Sequence, residues 1–188
     1  MLSNSELSLS YLFQSGFTHL ELKKYIYQWW MDPEKLWDEI SNTIFPIEIT
    51  EERKRKIQEK RKKVDTQEIK IFLTEKNIQI ITLDNPLYPQ KLKSIWHAPA
   101  FLYVRGVLRT DLPSIGIVGS RKNTPYAERI LKKIIPDIVW AWVWIISGWA
   151  TGVDALAHKY ALERNGYTLA VFGTGIDRCY PAGNKSLF

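Results

Sequence analysis

Between Ser114 and Gly175 the chain three times runs a short apolar stretch rich in β-branched residues into glycine and small polar residues: "SIGIVGSR", "WVWIISGWATG" and "YTLAVFGTG". Both intervals between these stretches carry helical patterns. In the first, Ala127, Ile130, Leu131, Ile134, Ile135 and Ile138 fall at i, i+3, i+4, i+7, i+8 and i+11, which makes one apolar face for packing on a sheet while Arg129, Lys132 and Lys133 point away. Thr124 and Pro125 supply an N-cap and a first-turn proline, and Pro136 is expected to kink or end the helix. The second interval, "VDALAHKYALERNG", reads as a helix closed by Gly166. Strand, helix, strand, helix, strand with short connections has few solutions. The chain is therefore expected to be α/β, with a parallel sheet, right-handed crossovers and every post-strand loop at one edge.

At that edge the sequence gathers groups suited to an anion. Glycines let an anion approach the backbone, and helix N-termini and exposed amides favour negative charge. The candidates are Gly119, Ser120, Arg121 and Lys122 after the first strand, Ser147, Gly148, Thr151 and Gly152 after the second, and Gly173, Thr174 and Gly175 after the third. Hydroxyls add donors, and the Arg121 guanidinium is a fork matched to phosphate. Asp154 and His158 stand at i and i+4 on one helical face, and are expected to brace the glycine loop. No second His or Cys joins them, so neither a metal nor a catalytic pair is expected. Trp140, Trp142 and Trp144 share the parity of one strand face and are expected mostly to pack beneath a helix. Trp149 lies in the second loop, where it either packs or offers its ring to a base.

The remaining chain has a different character. Residues 1–63 read as a small helical module, with apolar spacing in "LELKKYIYQWW" and "PEKLWDEI" and with Asp32 and Pro33 as a helix start. Residues 64–113 read as a connector of short strands and turns around one helix. Residues 114–188 form the α/β portion.

Several classes are excluded. No Gly-x-Gly-x-x-Gly is present and no acid ends the second strand, so a dinucleotide is not expected; the P-loop pattern is also missing. No uncharged run reaches the roughly 20 residues of a spanning helix, and the start does not resemble a signal peptide. Cys179 is the single cysteine, which fits a reducing compartment, so the cytoplasm is the expected location and no membrane is expected as a partner. The net charge of +6 is uneven: −4 over residues 1–50, +5 over 51–63, +1 over 64–113 and +4 over 114–188. The run "EERKRKIQEKRKK" reads as a solvated helix or linker.

The quoted motifs, together with "ISGWATGVDALAH" and "LAVFGTGIDRCYPAGN", resemble in order and spacing those of the DNA-processing protein A (DprA/Smf) family. The resemblance implies an N-terminal SAM-like domain followed by a Rossmann-like domain, of which this chain would contain the first half, as a truncated form would. It implies a cytoplasmic protein of natural transformation that binds single-stranded DNA, protects it and helps load the RecA recombinase. It implies no enzyme activity and no cofactor, and a homodimer that the missing half puts in doubt. By motif, Arg121 would contact DNA phosphate, Ser120 and the backbone at Gly119 and Gly173 to Gly175 would complete the pocket, and Asn184 and Lys185 would stand at its rim. The chain departs from the family pattern at Trp149, in place of leucine, at Pro136 within a helix, and at Ala182, where some members carry lysine. A nucleotide-binding enzyme of the Rossmann-like phosphoribohydrolase type is the alternative.

Overall fold

The computed structural model describes residues 2–41 and 49–187. Part of the expected helical head, residues 42–48, lies outside the described residues. The chain divides into two compact units, Met1–Leu108 and Arg109–Phe188.

The first unit is mainly helical. Helix α1 (Asn4–Gln14) and the short α2 (His19–Leu22) each start with a capping box, Ser3 with Glu6 and Thr18 with Glu21. The chain continues from α2 through a π-helical turn, Lys23–Gln28. Helix α3 (Pro33–Ser41) starts where Asp32 and Pro33 predict, with Asp32 Oδ1 accepting from the amides of Glu34 and Lys35 at 2.8 and 3.0 Å. The basic run is helix α4 (Glu51–Arg61), in which Ile57 is buried, Arg53 pairs with Glu21 and donates to Gly16 O, and Arg61 stacks over Trp37, while the rest of its charges face solvent. Leu12, Leu22, Leu36 and Ile57 are fully buried in this unit.

The segment 64–113 differs from the connector expected of it. It holds two helices where one is expected: "TQEIKIFLTE" is helix α5 (Thr66–Glu75), which Asp65 caps by accepting from the amides of Gln67 and Glu68. Strand β1 (Ile78–Thr82), the short helix α6 (Gln90–Lys93) and strand β2 (Phe101–Arg105) follow. The strands pair antiparallel, Ile80 opposite Tyr103, and the ribbon belongs to the first unit up to Leu108.

The second unit is α/β: β3 (Ser114–Gly116), α7 (Pro125–Trp140), β4 (Trp144–Ser147), α8 (Val153–Leu162), β5 (Thr168–Ala170) and a 3₁₀ turn, Ala182–Leu187. The sheet is parallel in the order β3-β4-β5, with Ile115 opposite Ile145 and Ile145 opposite Thr168. Sequential order with right-handed crossovers puts both helices on one face. They do pack together there: the Tyr160 hydroxyl of α8 donates to Glu128 of α7 at 2.8 Å, and Gly166 lies so close to the Val139 side chain that a β-carbon would collide with it. Leu131, Ile135, Ile145, Ala157, Tyr160 and Ala161 form the core between helices and sheet. By alternation Ile146 and Leu169 face the other side, as do Val118 and Val171, which are exposed.

Several local expectations are corrected. Thr124 caps α7 as foreseen, but the helix runs through Pro136 to Trp140, its final turn closed by the amides of Ala141 and Val143 donating to Asp137 and Ile138. Leu131 and Ile135 carry its packing, while Ile130 and Ile134 remain partly exposed. Trp140 ends the helix and Trp142 sits in a left-handed turn at φ 56°, so both are three-quarters exposed and are not strand residues. Only Trp144 is packed, against Tyr167, with its indole N–H donating to Leu112 O at 2.9 Å. At the end of α8 the left-handed residue is Asn165, and Gly166 supplies the close approach to α7 instead.

Candidate nucleic-acid interface

The bends after β3 and β4 are joined directly. The Ser147 hydroxyl donates to Ile117 O at 2.6 Å, the Val153 amide donates to Ser120 O at 3.1 Å, and the Thr151 hydroxyl donates to Arg121 O at 3.3 Å. Gly119 lies against Val153, at the start of α8. Gly152 adopts φ 82°, ψ −127° and lies directly against the carbonyls of Ser120 and Arg121. The bend holding Gly173, Thr174 and Gly175 is on the far side of the central strand. Two strand spacings, about 10 Å, separate it from the first bend. It reaches the second bend through Phe172, whose ring lies 5.2 Å from that of Trp149.

These contacts change the roles of several candidates. Ser147 is buried and its hydroxyl is committed to Ile117, so it joins strands and cannot serve a ligand. The Ser120 hydroxyl closes its own turn on Lys122, and that of Thr151 holds the two bends together. Asn184 does not stand at a rim: it is 5% exposed, and its Nδ2 donates to Trp149 O at 2.9 Å and to Ala150 O at 3.4 Å. Trp149 packs between His158 and Phe172, at 5.3 and 5.2 Å, so its ring is not presented to solvent. On the outside the cations Arg121, Lys122 and Lys185 are exposed, and the third bend also exposes Asp177 and Arg178. Among the described residues no acid pairs with the Arg121 guanidinium. Asn184 lies 34 residues from Ala150, and no local pattern announces so distant a contact.

Asp154 and His158 lie beneath the second bend. Asp154 is buried, with its carboxylate so close to Gly148 that a β-carbon there would meet Oδ2 at 2.6 Å. His158 is 1% exposed and bridges Gly148 O through Nε2 and Thr168 Oγ1 through Nδ1, both at 2.7 Å. A carbonyl only accepts, so Nε2 carries a hydrogen. In the neutral ring Nδ1 accepts from the Thr168 hydroxyl, which otherwise points at Ile145 O, 3.0 Å away.

Burial holds the His158 imidazole below its ordinary range, opposed by the Gly148 hydrogen bond and the Asp154 carboxylate. In the unfolded chain the same ring takes up a proton more readily. Its contribution to stability is therefore full above the ordinary value of about 6.5 and is lost as the pH falls through the depressed folded value. Thermal unfolding followed from about pH 7.5 to about pH 5 is expected to show a falling midpoint for the second unit. His158→Gln, which keeps a donor but cannot titrate, is expected to flatten that fall; an unchanged slope in the variant would assign the acid sensitivity elsewhere.

Among the described residues no three His, Cys, Asp or Glu side chains come together as a metal site. No described helix is long and apolar enough to cross a membrane.

Comparison with known proteins gives the fold a lineage. The family model for DNA recombination-mediator protein A matches residues 79–188. The chain is 42% identical over 119 residues to protein Smf of Synechocystis, covering 61% of this chain and 30% of that protein. It is 40% identical over 101 residues to DNA processing protein DprA of Streptococcus pneumoniae, covering 53% of this chain and 36% of the relative. The crystal structure of DprA from Streptococcus pneumoniae superposes with a TM-score of 0.71 at 26% identity, covering 99% of this chain and 64% of that one. The chain thus spans about a third of the length of these two curated relatives. The three strand-to-helix bends sit inside the matched region, on a Rossmann-like parallel sheet, and the chain belongs to the DNA recombination-mediator protein A (DprA/Smf) family.

Proposed function

We propose that this chain binds single-stranded DNA along the bends that follow β3, β4 and β5, and that in the cytoplasm it protects incoming strands during transformation and helps load the RecA recombinase. One observation supports this most: two bends tied to each other by their own hydroxyls and carbonyls, with the cations Arg121, Lys122 and Lys185 left exposed. Such a surface suits a sugar-phosphate strand, and recognition through backbone phosphate tolerates any sequence. The phosphoribohydrolase reading needs a Gly-Gly-x-Gly-Thr turn followed by a catalytic acid; "GTGIDRCYP" lacks that turn, and Asp154 is buried beneath the second bend.

The test is a salt series of oligonucleotide binding. Arg121→Ala is expected to weaken binding of an oligothymidylate by about tenfold or more, in line with the loss of a charge-assisted contact. The dependence of log affinity on log salt should flatten by about one. Equal affinities for both proteins at every salt concentration would rule out Arg121 as a phosphate contact.

A further inference from the structure

We infer that Asn184 is a positioning residue of this interface, fixing which way the peptide groups of residues 149 to 151 point. The inference rests on the reading that the bends receive nucleic-acid phosphate, and it names the residue that prepares them to do so.

Three consecutive carbonyls of the second bend are held by side chains from elsewhere in the fold. Gly148 O accepts from His158 Nε2, Trp149 O from Asn184 Nδ2, and Ala150 O from the same Nδ2 at a longer distance. Both donors are buried, so the carbonyls turn toward the interior. These peptide bonds are trans, and in a trans peptide the carbonyl and the following N–H point in opposite directions. The amides of Ala150 and Thr151 are therefore directed away from Asn184. Successive amides aimed to one side form a concavity for an anion. With the peptide planes reversed, the same bend would present carbonyl oxygens and repel phosphate.

Asparagine is well matched to this task. Its amide nitrogen carries two hydrogens and serves two acceptors at once. Aspartate has the same shape, but when ionised it only accepts and would face two carbonyls with a negative charge. Asn184 reaches the bend from the 3₁₀ turn that follows the third bend, so its side chain also ties that turn to the second bend. His158 holds only the first of the three carbonyls; Asn184 governs the two planes whose amides belong to Ala150 and Thr151.

The experiment titrates an oligothymidylate into isotope-labelled protein and follows the backbone amide resonances, alongside a salt series of affinities for wild type, Asn184→Ala and Asn184→Asp. In wild type the Ala150 and Thr151 amides are expected to move downfield on binding. Both variants are expected to bind about tenfold more weakly with the salt slope unchanged, because no cation is removed; the slope separates this loss from that of Arg121→Ala. If wild type binds but these two amides stay still, or if a folded Asn184→Ala binds like wild type, the positioning role is overturned while the interface reading stands. If wild type binds no oligonucleotide at any salt concentration, the interface reading itself fails and takes this inference with it. Should both variants fail to fold, the wild-type amide shifts decide alone.

Discussion

Gly152→Ala is expected to destabilise the second unit by roughly 3 kcal/mol or more, among the largest effects of a single methyl group on this chain. Two independent costs combine. The backbone at φ 82°, ψ −127° belongs to a region populated almost only by glycine. A β-carbon there would also collide with the carbonyl oxygens of Ser120 and Arg121, which are backbone atoms and cannot swing aside. Relief requires the first bend to retreat, breaking the bonds from the Val153 amide to Ser120 and from the Thr151 hydroxyl to Arg121. Stability and oligonucleotide binding should therefore fall together, although residue 152 presents no side chain to a ligand. Chemical denaturation of the two proteins checks the first effect. A midpoint matching wild type would mean that the bends do not approach as closely as described.

Ile135→Ala is expected to cost about 2–5 kcal/mol, the range for emptying a packed aliphatic site. Ile135 is fully buried between α7 and the sheet, among Leu131, Ile145, Ala157, Tyr160 and Ala161. The chain forms two compact units, so the loss should be confined to the second, and protection of its amides against hydrogen exchange should drop while that of α1 is retained. Leu12→Ala, at a fully buried position in α1, is the matching control and should give the reverse pattern. Equal loss of protection in both units from either substitution would show that they unfold as one.

What the sequence made legible depended on range. Thr124 before Pro125 and Asp32 before Pro33 are one-turn signals, and each starts a helix as read. The alternation of apolar strands with amphipathic helices was enough for a parallel sheet, since few other folds satisfy it. The failures share a cause as well. The apolar residues of 66–75 suit a strand or a helix equally, and the Asp65 cap settles the matter. The parity of Trp140, Trp142 and Trp144 assumed an extended backbone, but the chain is still helical at Trp140 and turns left-handed at Trp142. At the candidate interface, the glycines marked where the three strands turn. The hydroxyls misled, because Ser147 and Thr151 have carbonyl partners 30 residues away in the first bend. Asn184 misled for the same reason.

The sequential order of β3, β4 and β5 carries a last consequence. Helices α7 and α8 lie together over one side of the sheet. On its other side Val118 and Val171 meet water while Ile146 and Leu169 are half-buried, so among the described residues the packed core of this unit lies on the helix side of the sheet. A second layer laid over those four side chains would exclude solvent from both sides of the strands whose ends carry the bends, and would stiffen them without touching a residue of the interface.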